Sequence, residues 1–257
     1  MKLNQCYNAN MNEEHPPRAN WLGCTIRLIA ALMAVAVLLV SLSYLIGTRH
    51  EFRVVPSVAA ELEGAVTRTY QWSYGRYDWT WDVAIPKELY DFYKAKNRPS
   101  GPNYSICVLD QEDDAYLEKL VDKLEQAAGE VGYDKWDTAN FVARFVQNLP
   151  HTEDLATTGH SEYPRYPVET LVDGGDCEDT SILTAAVLDE MGYGVALLLL
   201  EDHIAVGIEG DEHIHGWYYE HNGKKYFYLE TTGKGWKVGD IPDENKEDGA
   251  HIYSIVP

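Results

Sequence analysis

The chain has 257 residues, 45% of them hydrophobic and 24% charged, with ordinary Gly and Pro content, so collagen-like and low-complexity readings are excluded. A net charge of −20 repels phosphate backbones, and no nucleic-acid partner is expected. Four cysteines are too few for a disulfide scaffold.

Residues 28–46 (LIAALMAVAVLLVSLSYLI) contain no charge, Pro or Gly. As a helix rising ~1.5 Å per residue, such a run would cover about 28 Å, close to the hydrocarbon thickness of a bilayer. A buried core helix and a cleaved signal peptide are the alternatives. The run is longer than a signal h-region, a polar segment precedes it, and no A-x-A site follows. The expectation is therefore an uncleaved transmembrane helix over residues 28–46. It follows a short tail, residues 1–27, and precedes a stalk, residues 47–64, and a domain, residues 65–257. Lys2, Arg18 and Arg27 before the run outnumber Arg49 and Arg53 after it. That imbalance expects a single-pass protein of the cell membrane with its domain outside the cell. Cys24, beside the run, is a weak lipidation signal.

Tyr70, Trp72 and Tyr74 lie on one side of Gly75-Arg76, and Tyr77, Trp79, Trp81, Val83 and Ile85 on the other. Aromatics at period two around a Gly-containing turn predict a β-hairpin. Stacking on sugars or bases is one use of such a ladder; cross-strand packing is the commoner one. A short helix starts after Pro86, and three longer helical patterns follow, over residues 110–128, 134–148 and 177–191. Asp110 is a candidate N-cap, Pro150 stops the second pattern and Gly192 ends the third. The period then changes to two, predicting strands over residues 195–200, 204–208, 216–220 and 226–229 with a hairpin turn at Asn222-Gly223. Helices followed by an antiparallel sheet make an α+β domain.

The chemistry centres on Gly174-Gly175-Asp176-Cys177-Glu178-Asp179, where a glycine loop becomes a helix. Free N–H groups and the dipole at a helix start favour a thiolate and can bind an oxyanion. Asp176, Glu178 and Asp179 oppose the thiolate, so Cys177 needs a basic partner. His203, opening a strand, is the candidate base, and Glu230, ending another, the candidate orienting acid. Asp202 and Asp211 compete with Glu230 for that role. Cys177 also reads as a small core residue, His203 as a half-buried histidine and Glu230 as an ordinary strand-end carboxylate. Gln147 is a candidate second oxyanion donor, or else a helix-end residue. The Tyr163–Pro167 loop is placed as a wall of the cleft. His213 and His215, with Asp211 and His221 nearby, could form a metal site, but no Glu-x-x-His or further Cys supports one, and a solvated hairpin is the preferred reading. No phosphate-binding glycine loop, Ser elbow or nucleotide fingerprint is present.

Residues 167–208 (PVETLVDGGDCEDTSILTAAVLDEMGYGVALLLLEDHIAVGI) resemble the core of the transglutaminase-like superfamily. The shared pattern is Gly-x-Cys at a helix start, a Gly-Tyr helix exit, one strand, and a His opening the next. FVQNLPHTED (145–154), SEYPRYPVETL (161–171) and YFYLETTGKGW (226–236) extend the likeness to membrane-anchored transglutaminase-like proteins found mainly in archaea. The resemblance implies a papain-like fold, with the nucleophile helix packed on an antiparallel sheet. It also implies Cys177 as nucleophile, His203 as base and Glu230 as orienting acid. Two departures stand out: Glu230 replaces the more usual Asp, and Ala205 replaces an aromatic residue. The function implied is cysteine hydrolysis or acyl transfer on amide bonds of a protein or peptide substrate, with no cofactor or metal required. The alternatives are a non-catalytic cell-surface binding or scaffold module of the same fold and, more weakly, a metal-dependent module. A Cys107–Cys177 disulfide would remove the nucleophile and favour the binding module.

Overall fold

The structure, a computed structural model, describes residues 29, 32–38, 50–57 and 64–256. The chain divides into two compact units, Met1–Arg49 and His50–Pro257. In the first unit, residues 32–38 are helical (α1) and their side chains are exposed. Among the described residues no helix is long and apolar enough to cross a membrane, which corrects the expected transmembrane helix over residues 28–46. An uncharged sequence meets only the hydropathy condition. Crossing also needs about 20 continuous helical residues. The rest of that run, the 1–27 tail with Cys24, and residues 47–49 and 58–63 of the expected stalk lie outside the described residues.

The second unit is α+β. It begins with β1 (Glu51–Val54), which falls within the expected stalk and pairs in parallel with β3. β2 (Ala65–Tyr74) and β3 (Tyr77–Pro86) form the hairpin, in the order β1-β3-β2. Its register sets Tyr70 opposite Trp81, Trp72 opposite Trp79 and Tyr74 opposite Tyr77. Direct opposition on one face is what period-two spacing produces, and Trp72 and Trp79 stack at 6.3 Å between centroids. Helices α2 (Lys87–Ala95), α3 (Ser105–Val108), α4 (Asp114–Glu130), α5 (Lys135–Val146), α6 (Asp154–Thr158), α7 (Pro167–Asp173) and α8 (Cys177–Glu190) follow.

The three long helices were legible from their apolar spacing, with local shifts. α4 starts at Asp114 with Asp113 at its N-cap position rather than Asp110. Asp110 instead turns its carboxylate to Lys96 and Tyr93, so the preceding turn stays outside the helix. Asp134 caps α5, its Oδ1 accepting the N–H of Trp136 at 2.9 Å and of Asp137 at 2.8 Å. The apolar stripe of α5 meets the hairpin: the Phe145 ring lies 5.1 Å from Tyr70, 5.2 Å from Trp72 and 5.3 Å from Trp81. The ladder is therefore the core between hairpin and helix.

A second, fully antiparallel sheet has the order β6-β7-β5-β4-β8, from β4 (Val195–Leu199), β5 (Ile204–Gly210), β6 (Tyr218–His221), β7 (Lys224–Leu229) and β8 (His251–Ser254). Asn222 (φ 50°) and Gly223 (φ 77°) both take the left-handed conformation that a two-residue hairpin turn requires. α8 packs on β4 and β5 and against α4, α5 and α7. Every residue from Glu178 to Leu188 is buried, as expected of a helix enclosed on all sides.

Trp81 is fully buried and its indole N–H donates to Pro56 O at 3.0 Å. Trp81→Ala should destabilise the unit by about 3–5 kcal/mol, read as a lowered midpoint in urea unfolding.

Candidate active site

The site begins with two glycines. Gly174 adopts φ +73°, and a Cβ there would come within 2.1 Å of Pro150 O; one on Gly175 would come within 2.3 Å of Asp179. Without side chains the loop closes on the segment after α5. Gly175 N donates to Pro150 O and Thr152 N to Gly175 O, both at 3.1 Å. That contact aims the chain into α8, with Cys177 as its first residue.

The first turn of α8 is clamped from the Tyr163–Pro167 loop. Arg165 is fully buried. Its backbone N–H donates to Asp179 Oδ1 at 2.6 Å, and its guanidinium binds Asp154 Oδ1 at 2.9 Å, Asp179 Oδ2, and Thr157 Oγ1 at 2.7 Å. The same turn is tied to the sheet. Ser181 Oγ donates to Ile204 O at 3.0 Å, and the Thr180 and Ser181 hydroxyls lie 2.9 and 3.0 Å from that of Thr231. Ile204 and Thr231 directly follow His203 and Glu230, so the first turn of α8 is bonded to the residues next to these two.

His203 and Glu230 meet because β5 and β7 are neighbours with Val206 opposite Leu229. His203 Nε2 lies 2.8 Å from Glu230 Oε2. Glu230 is further held by Tyr228 OH on Oε2 at 3.0 Å. Its Oε1 accepts from Thr231 N at 3.0 Å, Thr232 N at 2.9 Å and Thr232 Oγ1 at 2.6 Å. Burial raises the Glu230 pKa, but the hydrogen bond and charge of His203, with the Thr232 donors, outweigh it and hold the carboxyl at about 2. Asp202 and Asp211 do not take the orienting place; Asp211 pairs with the exposed His213. With Nε2 engaged, Nδ1 is the ring nitrogen left for a substrate or thiol proton, and it has no hydrogen-bond partner among the described residues. The imidazole is 21% exposed, which leaves it reachable from solvent.

Cys177 is half-buried and Cys107 fully buried, and both are free thiols, so no disulfide joins them. Cys177 Sγ donates to Glu178 Oε2 at 3.2 Å. Burial, then the charge and hydrogen bond of Glu178, pushes the Cys177 thiol up, against the backbone N–H of Ile204, which pulls it down. Glu178 is itself pushed up to about 8, by burial and then by its hydrogen bond with Asp176. The resting sulfur is therefore a neutral thiol.

Gln147 is 3% exposed, and its amide is committed elsewhere than to an oxyanion. Nε2 donates to Glu230 O at 2.7 Å and Trp236 O at 3.1 Å, while Oε1 accepts from Gly235 N at 3.1 Å. It fastens the loop that starts at Glu230. His213 and His215 sit in an exposed loop before β6 rather than on a strand. Among the described residues, the one set of three or more metal-type side chains whose ligand atoms converge, within 4.8 Å of one another, is Asp154, Asp176 and Glu178. Three carboxylates suit a hard cation, but Arg165 already supplies positive charge at Asp154. Sequence reading missed Arg165 as a clamp, Tyr228 as a donor to the acid, and Tyr104. The Tyr104 hydroxyl donates to Glu162 Oε1 at 2.5 Å, and the phenol sits in the field of Glu178 and Cys177. Period-based patterns carry no signal for such contacts.

No protein-family model and no curated protein matches the chain.

The low pKa of Glu230 has a stability consequence. A carboxylate held below its unfolded value stabilises the fold fully above about pH 4.5 and loses that contribution as pH falls toward 2. The unfolding free-energy difference between the wild type and Glu230→Gln should be constant from pH 7 to about 5, then shrink from 4.5 downward. Chemical denaturation at each pH measures it.

Proposed function

We propose that the chain is a cysteine hydrolase or acyltransferase of the transglutaminase-like type, acting on amide bonds of proteins or peptides through Cys177, His203 and Glu230. The observation that carries this reading is the 2.8 Å imidazole–carboxylate pair, with four further donors on Glu230, at the junction that also holds the first turn of α8. A carboxylate fixed so firmly sets one tautomer and orientation of the imidazole, which is the task of the third member of a triad.

The steps follow from those positions. Cys177 Sγ attacks the amide carbonyl carbon as His203 Nδ1 takes the thiol proton; a C–S bond forms and the carbonyl π pair moves to oxygen. Free N–H groups at the start of α8 are the natural donors to that oxyanion. Collapse breaks the C–N bond, and the imidazolium returns its proton to the departing amine, leaving a thioester. Water then gives the acid and an amine gives a new amide, with the thiol restored in both cases. A neutral resting thiol fits this order, because the proton leaves only when a substrate carbonyl is in place. None of these steps calls for a metal or cofactor.

A non-catalytic binding module is favoured by one observation, the hydrogen bond from Cys177 Sγ to Glu178. Iodoacetamide labelling of the full chain at pH 7, with modified cysteines assigned by mass spectrometry, separates the two. Cys177 should alkylate faster than the buried Cys107, and His203→Ala should slow Cys177 by at least about tenfold. An unchanged Cys177 rate in His203→Ala would leave the binding module as the better account.

A further inference from the structure

α5 and its C-cap residue carry a polar row at i, i+4 and i+7: Asn140, Arg144 and Gln147. The outer two meet the loop that follows β7. Asn140 Oδ1 accepts the N–H of Val238 at 2.9 Å, and Gln147 fastens Glu230, Gly235 and Trp236. Arg144 lies between them, with Nη1 3.4 Å from where a Cβ on Gly235 would stand. Its guanidinium nonetheless has no hydrogen-bond or ion-pair partner among the described residues, and its Nε is buried. Buried donors in native proteins almost always find an acceptor. Here the neighbouring protein groups have already chosen Asn140 and Gln147.

Arg144 opens on a cleft of about 580 Å³ between the β2–β3 turn, Tyr133 and Lys237. Lys237 is exposed and likewise makes no side-chain ion pair among the described residues. The carboxylate in the lining, Asp137, accepts a hydrogen bond from Tyr74 OH at 2.9 Å. Two uncommitted cations therefore face one partnered carboxylate, in a chain whose net charge is −20. Tyr74 and Tyr133, in edge contact at 5.2 Å, give the cleft an aromatic side. The volume is within the usual range for small-molecule sites, and the planar fork of a guanidinium matches two oxygens of one acidic group.

We propose that this cleft binds a small oxyanion, a phosphate or a carboxylate, gripped by Arg144 and Lys237. It contains none of the three residues assigned to acyl transfer, and it stands or falls independently of that activity.

Isothermal titration of the full chain with inorganic phosphate, and separately with acetate, at ionic strength held constant with NaCl, tests it. Saturable one-site binding of at least one probe is expected, and the tighter probe identifies the acidic group. Arg144→Gln should weaken that binding at least about tenfold, Lys237→Gln a few-fold, and Arg144→Lys should recover part of the loss. Lys119→Gln, on the exposed face of α4, should leave it unchanged. Absence of saturable heat with both probes overturns the site, as does equal affinity in Arg144→Gln. Should Arg144→Gln fail to fold, Arg144→Lys and Lys237→Gln decide in its place: wild-type affinity in both overturns the assignment.

Discussion

Enclosing α8 on every side leaves Asp179, in its first turn, with no access to water, and the Arg165 guanidinium is the group that makes this burial tolerable. An unpaired carboxylate at that depth would cost several kcal/mol. Arg165 spans Asp179 and Asp154 and adds its own backbone N–H to Asp179, so one residue joins α6, the Tyr163–Pro167 loop and the helix start. The position of Cys177 follows from that clamp together with the Gly174–Pro150 contact. His203 and Glu230 are placed separately, by strand register, and the Ser181, Thr180 and Thr231 bonds bring the two systems into one junction.

The site balances opposed electrostatic demands. Glu230 is kept strongly acidic by donors on both oxygens, so it stays charged and can stabilise an imidazolium. Cys177 lies among carboxyl groups in a partly dry setting and keeps its proton at rest. The difference comes from hydrogen bonding more than from burial, since both groups lose water but only Glu230 is surrounded by N–H and O–H donors. A sulfur arranged in this way is protected from casual oxidation.

The elements legible in the sequence are those whose signal is periodic. The Tyr70–Ile85 ladder, the apolar stripe of α5 and the Asn222-Gly223 turn each state a geometry locally, and β5 and β7 follow from alternation. His203 and Glu230 could be matched because neighbouring antiparallel strands bring their ends together. Other features have no local signature. Arg165 looks like any loop arginine until Asp154 and Asp179 are seen beside it. Gln147 has the right chemistry for an oxyanion donor, but its partners lie more than eighty residues away. Residues 51–54 are too short to announce a strand, and their partner in β3 begins more than twenty residues further along the chain. Hydropathy over residues 28–46 records only a lack of charge, and among the described residues no helix is long and apolar enough to cross a membrane.

The contact of the two glycines with Pro150 reaches beyond local geometry. Because a methyl group at Gly174 would overlap the Pro150 carbonyl, the strip 145–154 and the turn ahead of the nucleophile cannot drift separately. In related chains a bulkier residue on one side should arrive with a retreat of the other, so these two stretches are expected to covary as a single inherited block.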